Sequence, residues 1–198
     1  MKHSLIALGL LAALPFAASA SELSYNYVEG GYTRISGAGA KIDGLAVNGS
    51  VALGSRFHVF GGYEASDIEA TGINLGTGET FRSDLDFDRW NLGFGYNHSL
   101  SESTDLVARV GHARTDFEGL SYTFKSYFTE VGARSQLAPN IEGYLYAGYE
   151  KTEGTGQSGD YYGRIGGQYS FNPSWGLVAD AKFGSGDEQY FFGPRFTF

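Results

Sequence analysis

No cysteine occurs in the 198 residues, so disulfide staples, thiolate catalysis and zinc–thiolate sites are all excluded. Proline is scarce at four residues and methionine occurs once. Beyond the first 20 residues no apolar run approaches the roughly 20 residues that a transmembrane helix needs, which excludes a helical membrane protein. Basic residues are also in deficit, 14 Lys and Arg against 22 Asp and Glu. A nucleic-acid partner requires a basic footprint, so that class is excluded as well.

The N-terminus supplies the compartment. Lys2 precedes the apolar run Leu5 to Phe16, interrupted by Pro15, and small residues end at Ala18-Ser19-Ala20. This order of charged, apolar and A-x-A regions reads as a secretory signal peptide over residues 1–20, cleaved from a single domain of residues 21–198. Loss of Lys2 takes the net charge from −8 to −9.

What the chain has in abundance is glycine (30), tyrosine (14) and phenylalanine (15), the mixture of antiparallel barrels. A soluble lipocalin-like barrel shares it. The last ten residues show the strand pattern most plainly. Tyr190, Phe192, Pro194, Phe196 and Phe198 form one apolar face, and Gln189, Gly193, Arg195 and Thr197 the other, a period-two strand between an apolar and a polar environment.

Reading for such runs predicts ten strands, near 24–34, 44–53, 57–66, 87–97, 104–114, 125–136, 141–151, 160–171, 175–184 and 189–198, with eight as the alternative count. Short turns alternate with longer loops at 35–43, 67–86, 115–124, 152–159 and 185–188, as periplasmic turns alternate with extracellular loops in an outer-membrane barrel. The expected fold is therefore an all-β, antiparallel, up-and-down transmembrane β-barrel. Outward positions include Leu45, Val47, Val51, Leu53, Trp90, Leu92, Phe94, Tyr96, Leu106, Val110, Trp175, Leu177 and Phe183. Tyr96, Tyr169 and Trp175 fall in a periplasmic girdle, and Tyr32, Tyr63, Trp90, Tyr127, Tyr149 and Tyr161 in an outer one.

The inward parity collects Glu29, Glu64, Glu130, Glu142, Glu150 and Asp180 against Arg89, Arg109, Arg134, Arg164, Lys182 and Arg195. A barrel of this size is only slightly wider than one that side chains fill, and unpaired charge inside it is costly. A salt-bridged, mostly closed lumen follows, with a narrow non-specific pore for small solutes as the alternative. At the extracellular end, Arg34, Arg114, Lys125 and Lys151 take the outward face with His112 just below. There they are candidates to meet lipopolysaccharide phosphates, or they form a solvated rim.

Chemistry-bearing motifs are few. Asp84, Asp86 and Asp88 open like a calcium loop, but Arg89 and Gly95 stand where it requires Gly and Glu. Gly154-Thr-Gly-Gln-Ser-Gly159 precedes a strand, where a dinucleotide site requires a helix. His112 is the one candidate base at bilayer height. A hydrolase there needs a serine within reach, and Ser126 on the neighbouring strand has inward parity. No enzyme, cofactor or metal site is expected.

Residues 4–20 together with Tyr25-Asn-Tyr-Val-Glu-Gly-Gly-Tyr32, Asp105-Leu-Val-Ala-Arg-Val110, Asn172-Pro-Ser-Trp175 and Phe192-Gly-Pro-Arg-Phe196 resemble a family of small outer-membrane barrels of xanthomonads and stenotrophomonads, named after a proposed activator of rice immunity. The resemblance runs nearly the whole length. It implies outer-membrane residence, assembly by the barrel machinery through the terminal strand (Tyr190, Phe192, Phe196, Phe198) and presence in shed vesicles. It implies no established enzymatic activity and brings no functional residue. A monomer is expected, its neighbours being outer-membrane lipid and lipopolysaccharide.

Overall fold

The computed structural model describes residues 23–37, 40–73, 80–117, 123–154, 158–184 and 186–198, with backbone alone at 40, 68–73 and 80–85. The expected signal peptide lies outside them. Ten strands follow in chain order: β1 (Tyr27–Gly37), β2 (Ala40–Leu53), β3 (Phe57–Ile73), β4 (Thr80–Ser101), β5 (Thr104–Phe117), β6 (Thr123–Ala138), β7 (Ile141–Thr152), β8 (Asp160–Ser170), β9 (Trp175–Phe183) and β10 (Asp187–Thr197). Every neighbour is antiparallel, and β1 pairs with β10 to close the barrel. Closure satisfies every strand edge, which a bilayer demands of any backbone that crosses it.

Alternation puts each side chain on its face. Along β5, Asp105 and Val107 are buried while Leu106 and Ala108 are exposed. The exterior is correspondingly apolar: Leu45, Leu92, Leu145 and Ile165 are each more than half exposed. Trp175 packs on Phe196 at 5.0 Å between ring centroids, tying the last strand to β9 at one end of the barrel. Around the other end, Val47, Tyr63, Trp90, Arg114 and Lys125 occupy successive strands in one register row.

The inner face explains the glycine content. Phe60, Phe128, Tyr146 and Tyr162 lie over the bare backbones of Gly93, Gly111, Gly132 and Gly148 on neighbouring strands, where a Cβ would overlap the ring. Glycine makes room for large rings inside a narrow barrel, and the rings cover the backbone that glycine leaves bare.

Several expected bounds need correction: β1 runs to Gly37 and β2 starts at Ala40, and β5 runs to Phe117 and β6 starts at Thr123, so strand runs into both ends of the loops expected at 35–43 and 115–124. The stretch 67–86 is not a loop, because β3 and β4 continue as a paired ribbon up to Ile73 opposite Thr80, leaving only 74–79 outside the described residues. Adjacent antiparallel strands go on pairing beyond the bilayer because the ladder does not depend on which faces are apolar. The first strand begins at Tyr27 rather than 24. The residues before it turn inward, with consequences for the lumen.

Candidate functional site

The lumen is filled in layers. At the end that carries the short turns the segment 23–26 lies across the opening: Arg134 on β6 donates from Nη1 to the Ser24 carbonyl at 2.8 Å, and the Tyr25 hydroxyl donates to Asp105 on β5 at 2.9 Å. These strands face β1 across the barrel. The Tyr25 ring stacks on His58 at 4.5 Å, and the Arg134 guanidinium lies 4.9 Å from the Tyr25 ring centroid while pairing with Glu142 at 2.5 Å. Val107 and Tyr146 complete an apolar cluster with Tyr25.

The middle layer is ionic. Arg195 on β10 meets Glu29 on β1 at 2.5 Å. Glu130 lies between Arg109 at 2.6 Å and Arg164 at 3.6 Å, and Arg164 also reaches Asp180 at 2.8 Å. The Arg109–Glu130 contact is charge against charge without hydrogen-bond alignment, and the guanidinium lies 4.2 Å over the Tyr146 ring. Tyr162 and Tyr144 donate to Glu130 and Asp180 at 3.0 and 2.6 Å, giving these buried carboxylates the partners that burial requires.

In the upper layer, Glu150 takes Arg89 at 3.1 Å and Lys182 at 2.5 Å. Eleven of the twelve lumen residues read from parity stand in ion pairs. The exception is Glu64, which accepts hydrogen bonds from Ser66 at 3.1 Å and Gln189 at 3.2 Å and has no Lys or Arg within ion-pair distance among the described residues. Its register partner Arg89 crosses the lumen to Glu150 instead. Asp105, 7% exposed, is a lumen carboxylate that the sequence reading passed over. Its parity, one step from outward Leu106, was the available signal. Cavities of about 40 and 130 Å³ remain between the layers, and one of about 360 Å³ at the mouth opposite the short turns.

The rim differs from the expected row of free cations. Arg34 is held by Asp43 at 2.6 Å, with the Tyr32 hydroxyl on the same carboxylate. Arg114 is held by Asp116 at 2.8 Å, with the Thr123 hydroxyl donating to the same Asp116 carboxylate at 2.6 Å. The Arg34 guanidinium, then Tyr32, holds the Asp43 carboxyl below its ordinary value, and Arg114, then Thr123, does the same for Asp116. The partners, Asp43 and Asp116, lie on strand extensions beyond the apolar belt, where period two does not mark a facing. Lys125 and Lys151 are exposed.

His112 lies between Trp90 at 5.5 Å and Tyr127 at 4.9 Å, and its Nδ1 has no hydrogen-bond partner among the described residues. Ser126 faces the lumen and donates to Glu150 at 2.8 Å, so the structure does not bring the two together. Of the acidic triple, Asp88 accepts from Tyr63 at 2.6 Å, while the Asp84 side chain lies outside the described residues. Among the described residues no group of three His, Cys, Asp or Glu is placed to hold a metal.

A closed antiparallel barrel with an apolar exterior and an ion-paired interior has the fold of an outer-membrane β-barrel. The chain is similar in structure to the translocator domain of the autotransporter NalP from Neisseria meningitidis (TM-score 0.54, 11% identity, 89% of this chain and 90% of that one). It is also similar to the beta domain of the Bordetella autotransporter BrkA (0.53, 12%, 87% and 98%) and to the outer membrane protein OprG from Pseudomonas aeruginosa (0.51, 13%, 91% and 99%). No protein-family model and no curated protein sequence matches the chain.

Proposed function

We propose that the chain is exported with cleavage after Ala20 and resides in the outer membrane of a Gram-negative bacterium as a monomeric barrel with a closed lumen. Its role is structural or in surface interaction, neither catalysis nor open conduction. The observation that carries this reading is the stack of three layers in the lumen, the Tyr25–Asp105 bond, Arg109–Glu130–Arg164–Asp180 and Arg89–Glu150–Lys182. Arg89–Glu150–Lys182 links β4, β7 and β9, Arg109–Glu130–Arg164–Asp180 runs around β5, β6, β8 and β9, and Tyr25 lies across to β5, so opening either ionic layer separates buried charges.

The terminal aromatics Tyr190, Phe192, Phe196 and Phe198 serve as the signal to the assembly machinery. At the outer rim Lys125 and Lys151 are the main contacts to lipopolysaccharide phosphate, with Arg34 and Arg114 contributing less because each already has a carboxylate. Shedding in vesicles and kinship with the small xanthomonad barrels belong to the same proposal, supported by the segments quoted above.

The test is single-channel conductance in a planar bilayer of the protein purified from outer membranes, alone and with Arg109→Ala and Glu130→Ala together. Silence that turns into conductance on truncation supports the closed lumen. Regular steps from the unmutated barrel would replace it with the narrow-pore reading.

A further inference from the structure

The upper lumen is electrically lopsided. Glu150 is shared by two cations, Arg89 and Lys182, whereas Glu64, 7% exposed, is met only by the neutral donors Ser66 and Gln189. Both carboxylates and both cations line the same cavity of about 130 Å³, and Arg89, Glu150, Lys182 and Gln189 also line the 360 Å³ mouth cavity. One side of this cup therefore carries a positive excess and the other a negative one. The wall between them is continuous, because Gln189 is the register partner of Lys182 and reaches Glu64.

A second, independent observation points into the same space. Thr33 lines the cavity, is 1% exposed, and its hydroxyl has no hydrogen-bond partner among the described residues. Thr33, Gly44 and Ser66 form one register row across β1, β2 and β3, which sets the idle hydroxyl two strands from the serine that holds Glu64. A buried hydroxyl without a partner costs stability unless something supplies one.

We propose that this cup binds a small zwitterion, its ammonium end on Glu64 with Thr33 as a further acceptor, and its carboxylate end on Lys182 and Arg89. A zwitterion answers both poles while bringing no net charge into a confined space; a lone cation or lone anion leaves one pole unanswered. At roughly 30 Å³ per water, the lower cavity admits a ligand of only a few heavy atoms, and the mouth above accommodates a longer chain. The ligand class is thus a short amino acid. The cup lies between the middle ionic layer and the mouth and shares Arg89, Glu150 and Lys182 with the upper layer of the lumen; a binding measurement reads it directly, whatever the conductance of the barrel.

The experiment is ligand-observed saturation-transfer NMR on the full protein in micelles, with glycine, 4-aminobutyrate and 6-aminohexanoate compared with butyrate and butylamine. At least one amino acid binds saturably and more tightly than either singly charged probe. Glu64→Gln weakens that amino acid roughly ten- to a hundredfold, the worth of one charge-assisted contact, yet does not weaken butyrate. Lys182→Met weakens the amino acid likewise and spares butylamine. Both variants are checked for retained heat-modifiable gel mobility. The proposal is overturned if no amino acid binds, or if both variants weaken all probes alike, as general damage to the barrel would.

Discussion

Replacing Glu130 by Gln removes one negative charge from the centre of the barrel and little else. The side chain is 3% exposed and stands against Arg109, itself 12% exposed, at 2.6 Å, and against Arg164 at 3.6 Å. Arg164 retains Asp180 at 2.8 Å, so Arg109 is the group left without a counter-charge. At an effective dielectric constant near 20, two unit charges about 4 Å apart attract by about 4 kcal/mol. Breaking a buried pair from one side costs about 3–5 kcal/mol in proteins generally. The expected destabilisation is therefore about 3–4 kcal/mol, and Arg109→Met in the same chain should restore most of it, because no orphaned charge then remains. Reversible urea unfolding in lipid vesicles measures this, followed by the fluorescence of Trp90 and Trp175, which are exposed on the barrel's outer face. A cost below about 1 kcal/mol, or no recovery in the double variant, would refute the view that the layer is a dry, charge-coupled plug and would require water to screen it.

Truncating Tyr25 to Ala removes the ring across the opening at the short-turn end with its bond to Asp105; bilayer recordings should show brief openings absent from the parent, whereas Tyr25→Phe should stay closed. Asp43 is held below its ordinary value of 3.8 chiefly by Arg34. The folded state thus favours its charged form, and the pair's contribution is whole above that value and fades as pH falls through the lowered one. Carboxyl NMR should show the Asp43 titration moving up to the ordinary range in Arg34→Gln, and an unmoved titration would remove Arg34 as the cause. Gly148→Val places methyl groups where the Tyr162 ring lies, and an overpacking cost of about 1–3 kcal/mol should appear in urea unfolding; unchanged stability would mean that the ring can move aside.

Much of the architecture was legible because a barrel in a bilayer has two solvents, and each strand records both. Tyr190, Phe192 and Phe196 against Arg195 announce the lipid and lumen faces in nine residues, and the same parity placed Glu130 and Arg164 inside without any knowledge of their partners. Strand ends were less legible: beyond the apolar belt both faces are polar, so period two fades while the ladder continues, as it does between β3 and β4.

Partner choice belonged to the tertiary structure. Parity says that Glu64 and Arg89 both face inward on neighbouring strands, but whether they pair depends on what stands across the barrel, and Glu150 with Lys182 draws Arg89 away. Likewise nothing local to Ser24 and Tyr25 marks them as a plug; their partners Asp105 and Arg134 lie 80 and 110 residues on. The sequence by itself determined which solvent each side chain meets, because that is a property of one strand and its alternation. Strand pairing and ring closure decided which charges meet, because each contact needs a second strand: Arg109 meets Glu130 across a neighbouring pair, Glu29 meets Arg195 across the closing seam, and Arg89 meets Glu150 three strands away.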